Sequence, residues 1–263
     1  MTSTILITGS AGRLGRAMAT ALTRAGFAVR GFDLQPTPGI ESHVGSLLDS
    51  AALHWAMDGI EFLIHLAATP DDEPYPPGEA DNFESGLLPN NILGGYRVLE
   101  AARRRGTKRI LLASTGQVID GHLDIGNVPV VATSEYRPRY IYACTKVFLE
   151  QLGRVYAEHH GMKVLAVRFG WCPRDANQIA ELEADSEAQD VYLSPVDAGR
   201  FAVSAASTPA EKWPRFAPLY CTSLPVKRML YDLAPAERMI GFVPKDRWPD
   251  GVDRPTAQNE TTG

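Results

Sequence analysis

The chain has 263 residues, of which 44% are hydrophobic and 22% charged, and its formal net charge is −5. This composition is that of a globular protein, and the length suits one large α/β domain with a small appendage. Acidic and basic residues are interspersed, and no stretch approaches the roughly 18 apolar residues that span a bilayer. We therefore expect neither a nucleic-acid surface nor a membrane anchor.

The three cysteines, Cys144, Cys172 and Cys221, are widely spaced and form no CxxC pair. They predict neither a disulfide framework nor a thiolate metal site. The amino terminus runs directly into an apolar, strand-like segment without a charged leader. We expect a cytoplasmic protein that binds no metal.

Apolar runs alternate with amphipathic segments along the chain, which is typical of βα units and a parallel sheet. The predicted strands are Thr4 to Thr8, Ala28 to Phe32, a weak one beginning at Val44, Phe62 to Leu66, Arg109 to Ala113, Lys163 to Arg168 and Leu219 to Thr222. The predicted helices are Leu14 to Ala25, Leu53 to Met57, Asn90 to Arg105, Tyr140 to His160 and Val196 to Ala206. The pattern predicts an α/β fold with a doubly wound parallel sheet.

Two segments interrupt this alternation. Residues 69–80 combine four prolines with acidic residues and predict an exposed loop at the carboxyl edge of the sheet. The acidic stretch from Glu181 to Asp190 predicts a mobile or substrate-covering loop. We expect a dinucleotide-binding core in residues 1–168, the remaining sheet elements and a small substrate-binding appendage in 169–250, and a flexible tail in 251–263.

A glycine-rich turn, Thr8 to Gly15, separates the first strand from the first helix. Gly9 permits the tight turn, Gly12 lets the backbone approach a pyrophosphate, and Gly15 lets the helix pack closely on the sheet. The amino end of the helix favours the phosphates through its free N–H groups and dipole. Ala11, Arg13 and Leu14 lie in the same turn, and we expect them to line the cofactor.

Asp33 follows the second strand, about 20 residues after the turn, where a carboxylate can accept hydrogen bonds from the adenosine ribose. It would repel a phosphate there, so the pattern favours NAD over NADP, although Arg13 and Arg30 are nearby cations. In the alternative interpretation, Asp33 only begins a turn before Pro36. Strand, glycine turn and acid together indicate a Rossmann-type nucleotide site.

Tyr142 and Lys146 are four residues apart on a predicted helix and project from one face. An ammonium beside a phenol stabilises the phenolate, so Tyr142 could accept a proton from a substrate alcohol. Lys146 would also bind the nicotinamide ribose. A hydroxyl at the strand end Ser114-Thr115 could orient the substrate oxygen. The alternative interpretations are an ordinary helix surface and a strand-terminal turn.

These residues together resemble the extended branch of the short-chain dehydrogenase/reductase family. The resemblance rests on TGxxGxxG, Asp33, His65-Leu66-Ala67-Ala68, Asn91, Ser114-Thr115, Tyr142-x-x-x-Lys146 and Arg168-Phe169-Gly170, which follow the order of the family over about residues 4–205. It implies Thr115, Tyr142 and Lys146 as catalytic residues. It also implies cofactor contacts at Leu66, Ala67 and Ala68, with Asn91 as structural support. Ser46 and Leu47 occupy the adenine subsite, where the family usually has an acid in the place of Ser46.

The length and the Arg168 to Pro173 segment resemble the uronate dehydrogenase subgroup, which oxidises sugar acids with NAD. At the substrate positions of that subgroup this chain has Pro70, Gly116, Gln117 and Trp171, and no arginine stands where the carboxylate clamp is placed, although Arg174 is a few residues earlier. Trp171 favours a flatter, less polar substrate. The short carboxyl-terminal part favours a small substrate over a nucleotide sugar.

The residues support three functions: an NAD-dependent dehydrogenase, an NAD-retaining epimerase or dehydratase, and a non-catalytic dinucleotide sensor. The family resemblance also implies a homodimer formed by the two long helices, Asn90 to Arg105 and Tyr140 to His160. The dehydrogenase is the interpretation that uses Thr115, Tyr142 and Lys146 directly.

Overall fold

The computed structural model describes residues 4–71 and 81–252. Its sheet has seven strands, all paired in parallel: β1 (Thr4–Thr8), β2 (Ala28–Asp33), β3 (Glu41–Val44), β4 (Ile60–His65), β5 (Arg109–Thr115), β6 (Lys163–Phe169) and β7 (Phe216–Cys221). The seven α-helices are α1 (Arg13–Arg24), α2 (Ser50–Ala56), α3 (Gly95–Arg105), α4 (Ile141–His159), α5 (Ala176–Ala184), α6 (Pro195–Ser207) and α7 (Ala234–Ile240) within those ranges.

The strand order is β3-β2-β1-β4-β5-β6-β7. The chain winds outward from β1 in one direction and then, from β4, in the other, so the order reverses between these two strands. This confirms the predicted doubly wound, Rossmann-type sheet. In such sheets ligands bind outside the carboxyl ends of the strands, at the reversal point.

Helices cover both faces of the sheet, and the strands alternate their side chains between them. On one face Ile5 and Ile7 of β1 belong to a buried cluster with Met18 of α1 and Phe201 of α6. On the other face Leu6 belongs to a second cluster, together with Leu99 of α3 and Leu149 of α4. The central strands therefore read as continuous apolar runs because both of their faces are buried.

Most predicted elements differ from the structure by up to three residues at an end, and the third strand and the third helix were the least well predicted. The third strand ends at Val44, and its single buried residue, His43, supplies little apolar pattern. The helix predicted from Asn90 is helical from Phe83, with π-helical geometry over Phe83–Gly94. Its apolar positions are spaced irregularly because that geometry does not follow the α-helical period.

The acidic stretch predicted as an irregular loop is partly helical, so that prediction was wrong over its first part. Asp175 caps α5 by accepting a hydrogen bond from the Gln178 N–H, 3.0 Å away. Ile179 and Leu182 are buried at helical spacing, while Glu181 and Glu183 of the same helix are exposed. In the sequence, these two apolar residues are a weaker signal than the five acidic residues from Glu181 to Asp190. The predicted proline-rich loop lies largely outside the described residues, as does most of the predicted tail.

No helix in the described part of the chain is long and apolar enough to cross a bilayer.

Candidate functional site

The predicted site residues come from distant parts of the sequence, and all but Tyr142 and Lys146, which lie on α4, end or follow a strand. The glycine turn follows β1, Asp33 ends β2, Ser46 and Leu47 follow β3, and Leu66 to Pro70 follow β4. Thr115 to Gln117 end and follow β5, whereas Trp171 and Arg174 follow β6. A parallel sheet places all of these positions along one edge.

The glycine turn is held against the segment after β4. Gly9 has φ of 75°, and a Cβ built there would lie 2.6 Å from the backbone nitrogen of Ala67. A Cβ on Gly15 would lie 2.7 Å from the Cα of Ser10. Both positions require glycine, since the conformation of one and the backbone contacts of both exclude a side chain.

The start of α1 is open to an anion. Gly12 provides no side-chain cap, and the first turn has no acidic residue. Arg13 begins the helix, and its buried Nε and Nη2 atoms have no hydrogen-bond partner among the described residues. Buried donors are normally satisfied, so these two N–H groups fit a bound pyrophosphate. This observation matches a dinucleotide to the turn independently of its glycines.

The residues predicted to contact adenosine lie at the ends of β2 and β3. Asp33 Oδ2 accepts a hydrogen bond from the Ala11 N–H at 3.0 Å, and Oδ1 accepts one from the Gln35 N–H at 3.3 Å. The carboxylate is therefore fixed beside the phosphate turn. The hydroxyl of Ser46 accepts a hydrogen bond from the Leu48 N–H, and Leu47 is buried next to it.

Two asparagines, Asn91 of the π-helix and Asn82 just before it, form hydrogen bonds with the segment after β4. Asn91 Oδ1 accepts a hydrogen bond from the Thr69 N–H at 2.8 Å, and its Nδ2 donates to the Thr69 carbonyl at 2.9 Å. The same Nδ2 donates to Thr145 Oγ1, which donates in turn to the carbonyl of Tyr142. Asn91 thus joins this segment to α4, and Asn82 Nδ2 donates to the carbonyl of Pro70.

Tyr142 and Lys146 lie together on the first turns of α4. The Lys146 Nζ is 5.5 Å from the centre of the Tyr142 ring and donates a 3.1 Å hydrogen bond to the Ala113 carbonyl on β5. Burial lowers the pKa of Lys146 to about 8. Burial also raises the pKa of Tyr142, Asp71 raises it further, and Arg174 opposes that rise. The phenol therefore needs nearby positive charge to ionise.

Thr115 is anchored by the residues around it on β5. Its Oγ1 accepts a hydrogen bond from the Gln117 N–H at 3.3 Å, and the preceding Ser114 donates to the buried carboxylate of Glu150 on α4. Arg168 of β6 donates to both oxygens of Glu150 at 3.0 Å. Glu150 thus links α4 to β6 through Arg168 and to β5 through Ser114, the residue before the predicted catalytic Thr115.

The predicted substrate residues surround this edge from β5 and β6. Gly116 is buried, and the buried Oε1 atom of Gln117 has no partner among the described residues. Trp171 Nε1 donates to Gln178 Oε1 at 3.4 Å, which fixes the indole against α5. The exposed Arg174 is close enough to Tyr142 to affect its pKa.

The sequence did not single out two residues that the fold brings to this place, Asp120 and Tyr231. The Tyr231 hydroxyl hydrogen-bonds to Asp120 Oδ1 at 3.3 Å and lies against Gly116. The only local signal was the missing side chain at residue 116. Within residues 4–71 and 81–252, no group of three His, Cys, Asp or Glu residues is placed to hold a metal ion.

Comparisons with known proteins agree with the fold and the sequence motifs described above. The sequence profile of the NAD dependent epimerase/dehydratase family matches residues 5–170. The uronate dehydrogenase of Pseudomonas syringae pv. tomato is 29% identical over 171 residues, which cover 63% of this chain and 58% of that protein. The L-arabinose 1-dehydrogenase (NAD(P)(+)) of Haloferax volcanii is 30% identical over 208 residues, covering 73% and 78%. The match to the first relative thus spans less than two thirds of its length.

The fold of this chain also superposes over most of its length on a solved structure. The glucuronic acid dehydrogenase of Chromohalobacter salexigens superposes with a TM-score of 0.72 at 26% identity, covering 94% of this chain and 86% of the other. Together with the family match and the geometry at the carboxyl edge, this confirms the resemblance found in the sequence motifs. The chain belongs to the NAD dependent epimerase/dehydratase family, within the extended short-chain dehydrogenases/reductases.

Proposed function

We propose that the chain is an NAD-dependent oxidoreductase that transfers a hydride between a small hydroxyl or carbonyl substrate and nicotinamide. The observation that carries this proposal is the pair Tyr142 and Lys146, which is joined to β5 by the bond from Lys146 to the Ala113 carbonyl. That bond holds the ammonium two residues before Thr115, and the centre of the Tyr142 ring is 5.5 Å from the ammonium nitrogen. The unpaired donors of Arg13 support a dinucleotide at the neighbouring turn.

Each residue has a separate part in the proposed reaction. When bound, NAD supplies the hydride acceptor and a positive charge near the phenol. Thr115 holds the substrate oxygen by a hydrogen bond, and Tyr142 accepts the proton of the substrate hydroxyl as the C–H bond breaks. Lys146 stabilises the phenolate and binds the nicotinamide ribose. In the reverse direction Tyr142 returns the proton to the carbonyl oxygen.

The proposed cofactor contacts are the phosphate turn, from Gly9 to Gly15, for the pyrophosphate and Asp33 for the adenosine ribose. Ser46 and Leu47 would line the adenine, and Leu66 to Ala68 would line the cleft between β1 and β4. The Asp33 carboxylate would repel the 2′-phosphate of NADP, so we propose NAD as the preferred cofactor.

For the substrate we propose a small sugar or sugar acid. Trp171 would cover one face of the ring, and Pro70, Gly116 and Gln117 would form the remaining walls. Arg174 has no ion-pair partner in the described part of the chain, and its charge reaches Tyr142. It is therefore suited to bind a carboxylate on the substrate. This proposal draws on the relatives, which are named as dehydrogenases of uronate and L-arabinose.

Replacing Tyr142 by Phe tests the catalytic proposal. We expect NADH formation on a panel of aldoses and sugar acids to fall by ~10²-fold or more, because the proton acceptor is lost. NAD affinity by calorimetry should be unchanged. Tyr156→Phe is the matched control, since that hydroxyl lies on the same helix and bonds Glu100 instead. A Tyr142→Phe rate near that of the unmodified protein would contradict the assignment.

The same screen separates the other two functions. An NAD-retaining epimerase or dehydratase returns the hydride to its product, so NADH would not accumulate. A sensor would bind NAD without turnover of any substrate. Net NADH formation supports the dehydrogenase alone.

We further propose a homodimer in the cytoplasm. The three cysteines are free thiols, which suits a reducing compartment. The two long helices carry exposed apolar side chains suited to a second copy. We also propose residues 1–168 as the cofactor-binding core and 169–250 as the part that completes the sheet and the substrate site.

A further inference from the structure

Gly116 leaves a space that another side chain fills. It directly follows Thr115, so their Cα atoms are about 3.8 Å apart. A Cβ built on Gly116 would overlap the Tyr231 hydroxyl and would lie 2.9 Å from its Cζ atom. The phenol of Tyr231 therefore occupies the position of a residue 116 side chain.

Tyr231 is held rigidly in this place. Its ring stacks on Tyr220 with centroids 4.7 Å apart and planes 6° from parallel. Its hydroxyl bonds Asp120 Oδ1 at 3.3 Å, and its backbone pairs with Val130. Burial raises the pKa of Tyr231, and Asp120 raises it further, so the phenol stays protonated and donates to that carboxylate.

Asp120 is itself enclosed. Burial raises its pKa, while the guanidinium of Arg139 and the bond from Tyr231 lower it. The proposed mechanism uses neither Asp120 nor Tyr231. A half-buried acid and a buried phenol, hydrogen-bonded to each other beside the Thr115 strand end, therefore lack an assigned role.

We propose that Tyr231, oriented by Asp120, is a substrate-binding residue that recognises a hydroxyl on the carbon next to the reacting carbon. This inference rests on the proposed dehydrogenase function and deepens it. Thr115 would hold the reacting oxygen. The Tyr231 hydroxyl, which lies beside Gly116, the next residue after Thr115, would hold the neighbouring oxygen. Together they would require a vicinal diol, which is the arrangement found in sugars.

The hydrogen-bond inventory fits this role. A phenol donates one hydrogen bond and accepts others. Since the proton of Tyr231 goes to Asp120, its lone pairs are available to a substrate O–H. A site built to bond a hydroxyl discriminates strongly against an analogue that lacks it, because the buried polar group is then left unpaired.

The test compares aldoses with their 2-deoxy analogues. The probes are L-arabinose and D-glucuronate, each paired with its 2-deoxy form, and the measurement is kcat/KM for NADH formation. For the unmodified protein we expect a preference of ~10- to 10²-fold for the hydroxylated sugar. Tyr231→Phe keeps the stacked ring and should reduce this preference to a few-fold, by slowing the hydroxylated sugar while leaving the deoxy sugar nearly unchanged.

Tyr220→Phe is the matched control, because it removes a hydroxyl from the other ring of the same stack. That hydroxyl bonds Arg168 and the Val131 carbonyl, so its loss should leave the substrate preference intact. NAD affinity by calorimetry checks that each variant folds. If Tyr231→Phe does not fold, the absence of a preference in the unmodified protein still overturns the inference.

The outcomes are distinct. Equal loss on both sugars in Tyr231→Phe, or no preference in the unmodified protein, overturns the role of Tyr231 and leaves the dehydrogenase in place. The absence of NADH formation on every probe overturns the proposed function together with this inference.

Discussion

At the scale of single residues, Lys146 is the least favourable feature of the site for stability. Its side chain is almost fully buried, and its ammonium donates a hydrogen bond to the Ala113 carbonyl. No carboxylate contributes to its pKa, which burial lowers to about 8. Burial lowers the pKa of His65 to about 3, and the charge of Lys146 lowers it further. A need for positive charge beside the phenol of Tyr142 would explain why an ammonium is buried here despite its cost in stability.

Removing Lys146 should change the pH dependence of catalysis. In Lys146→Met the phenolate of Tyr142 loses its neighbouring cation, so the pKa of Tyr142 rises. We expect the rising limb of kcat/KM for oxidation to move to higher pH, with a loss of ~10²-fold or more at neutrality. Lys108→Met, an exposed position, should leave the limb in place. An unshifted limb in Lys146→Met would refute the role of this charge.

The same substitution should stabilise the fold. Below pH 8 Lys146 is charged in both the folded and unfolded states, and the folded state bears the full burial penalty. Between about pH 8 and 10.5 only the unfolded state keeps the proton, so the penalty fades as pH rises. We expect urea unfolding to show Lys146→Met about 1 to 2 kcal/mol more stable at pH 7, allowing for the lost hydrogen bond. A gain that grows towards pH 10 would contradict this sign.

At the scale of elements, the sheet edge is assembled by polar ties between helices and strands. The helices α2, α5 and α6 begin with side-chain caps from Asp49, Asp175 and Ser194. The start of α1 has none, which leaves its N–H groups for a ligand. The Glu150 and Arg168 pair connects α4 with β5 and β6, and neither side chain has more than 1% exposure.

Breaking that pair should destabilise the protein strongly. Arg168→Met leaves Glu150 buried without its cation, and we expect the free energy of unfolding to fall by about 3 to 5 kcal/mol. The double variant Arg168→Met with Glu150→Met removes the unpaired charge and should recover part of this loss. Urea denaturation measures both. Arg105→Met, which breaks the exposed pair with Asp58, should have a much smaller effect. Equal losses in the buried and exposed variants would exclude this explanation.

At the scale of the whole molecule, the helices beyond β4 and β5 carry several exposed apolar side chains. Leu88, Leu93 and Tyr96 lie along the π-helix and the start of α3, while Phe148 and Val155 lie seven residues apart on α4. Each of the five is 37% to 46% exposed. An apolar face shared by neighbouring helices is suited to pair with the same face of a second copy.

A charge on this face should disrupt the proposed dimer. We expect the unmodified protein to sediment as a dimer at micromolar concentration and Phe148→Glu to sediment as a monomer, because the acid would be buried without a partner. Val243→Glu changes an equally apolar, exposed residue elsewhere and should remain dimeric. A monomeric unmodified protein would remove the proposal.

The sequence by itself determined the fold class and the position of the glycine turn and Asp33 at one edge of the sheet. Those features follow from local rules: apolar runs of strand length, a glycine turn between strand and helix, and an acid at the end of the next strand. Two helical segments, α5 and the π-helix, were less clear from the sequence. The buried pair Ile179 and Leu182 of α5 was obscured by its acidic neighbours, and the π-helix does not repeat with an α-helical period.

Only the tertiary structure decided which side chains meet. The bonds between Asn91 and Thr69 join residues 22 positions apart, and the contact of Tyr231 with Gly116 joins residues 115 positions apart. The unpaired donors of Arg13 likewise became visible only in the folded chain. No periodicity encodes such contacts, since they depend on how whole elements pack. The missing side chain at Gly116 was visible in the sequence, but the group that fills its space became known only once the chain was folded.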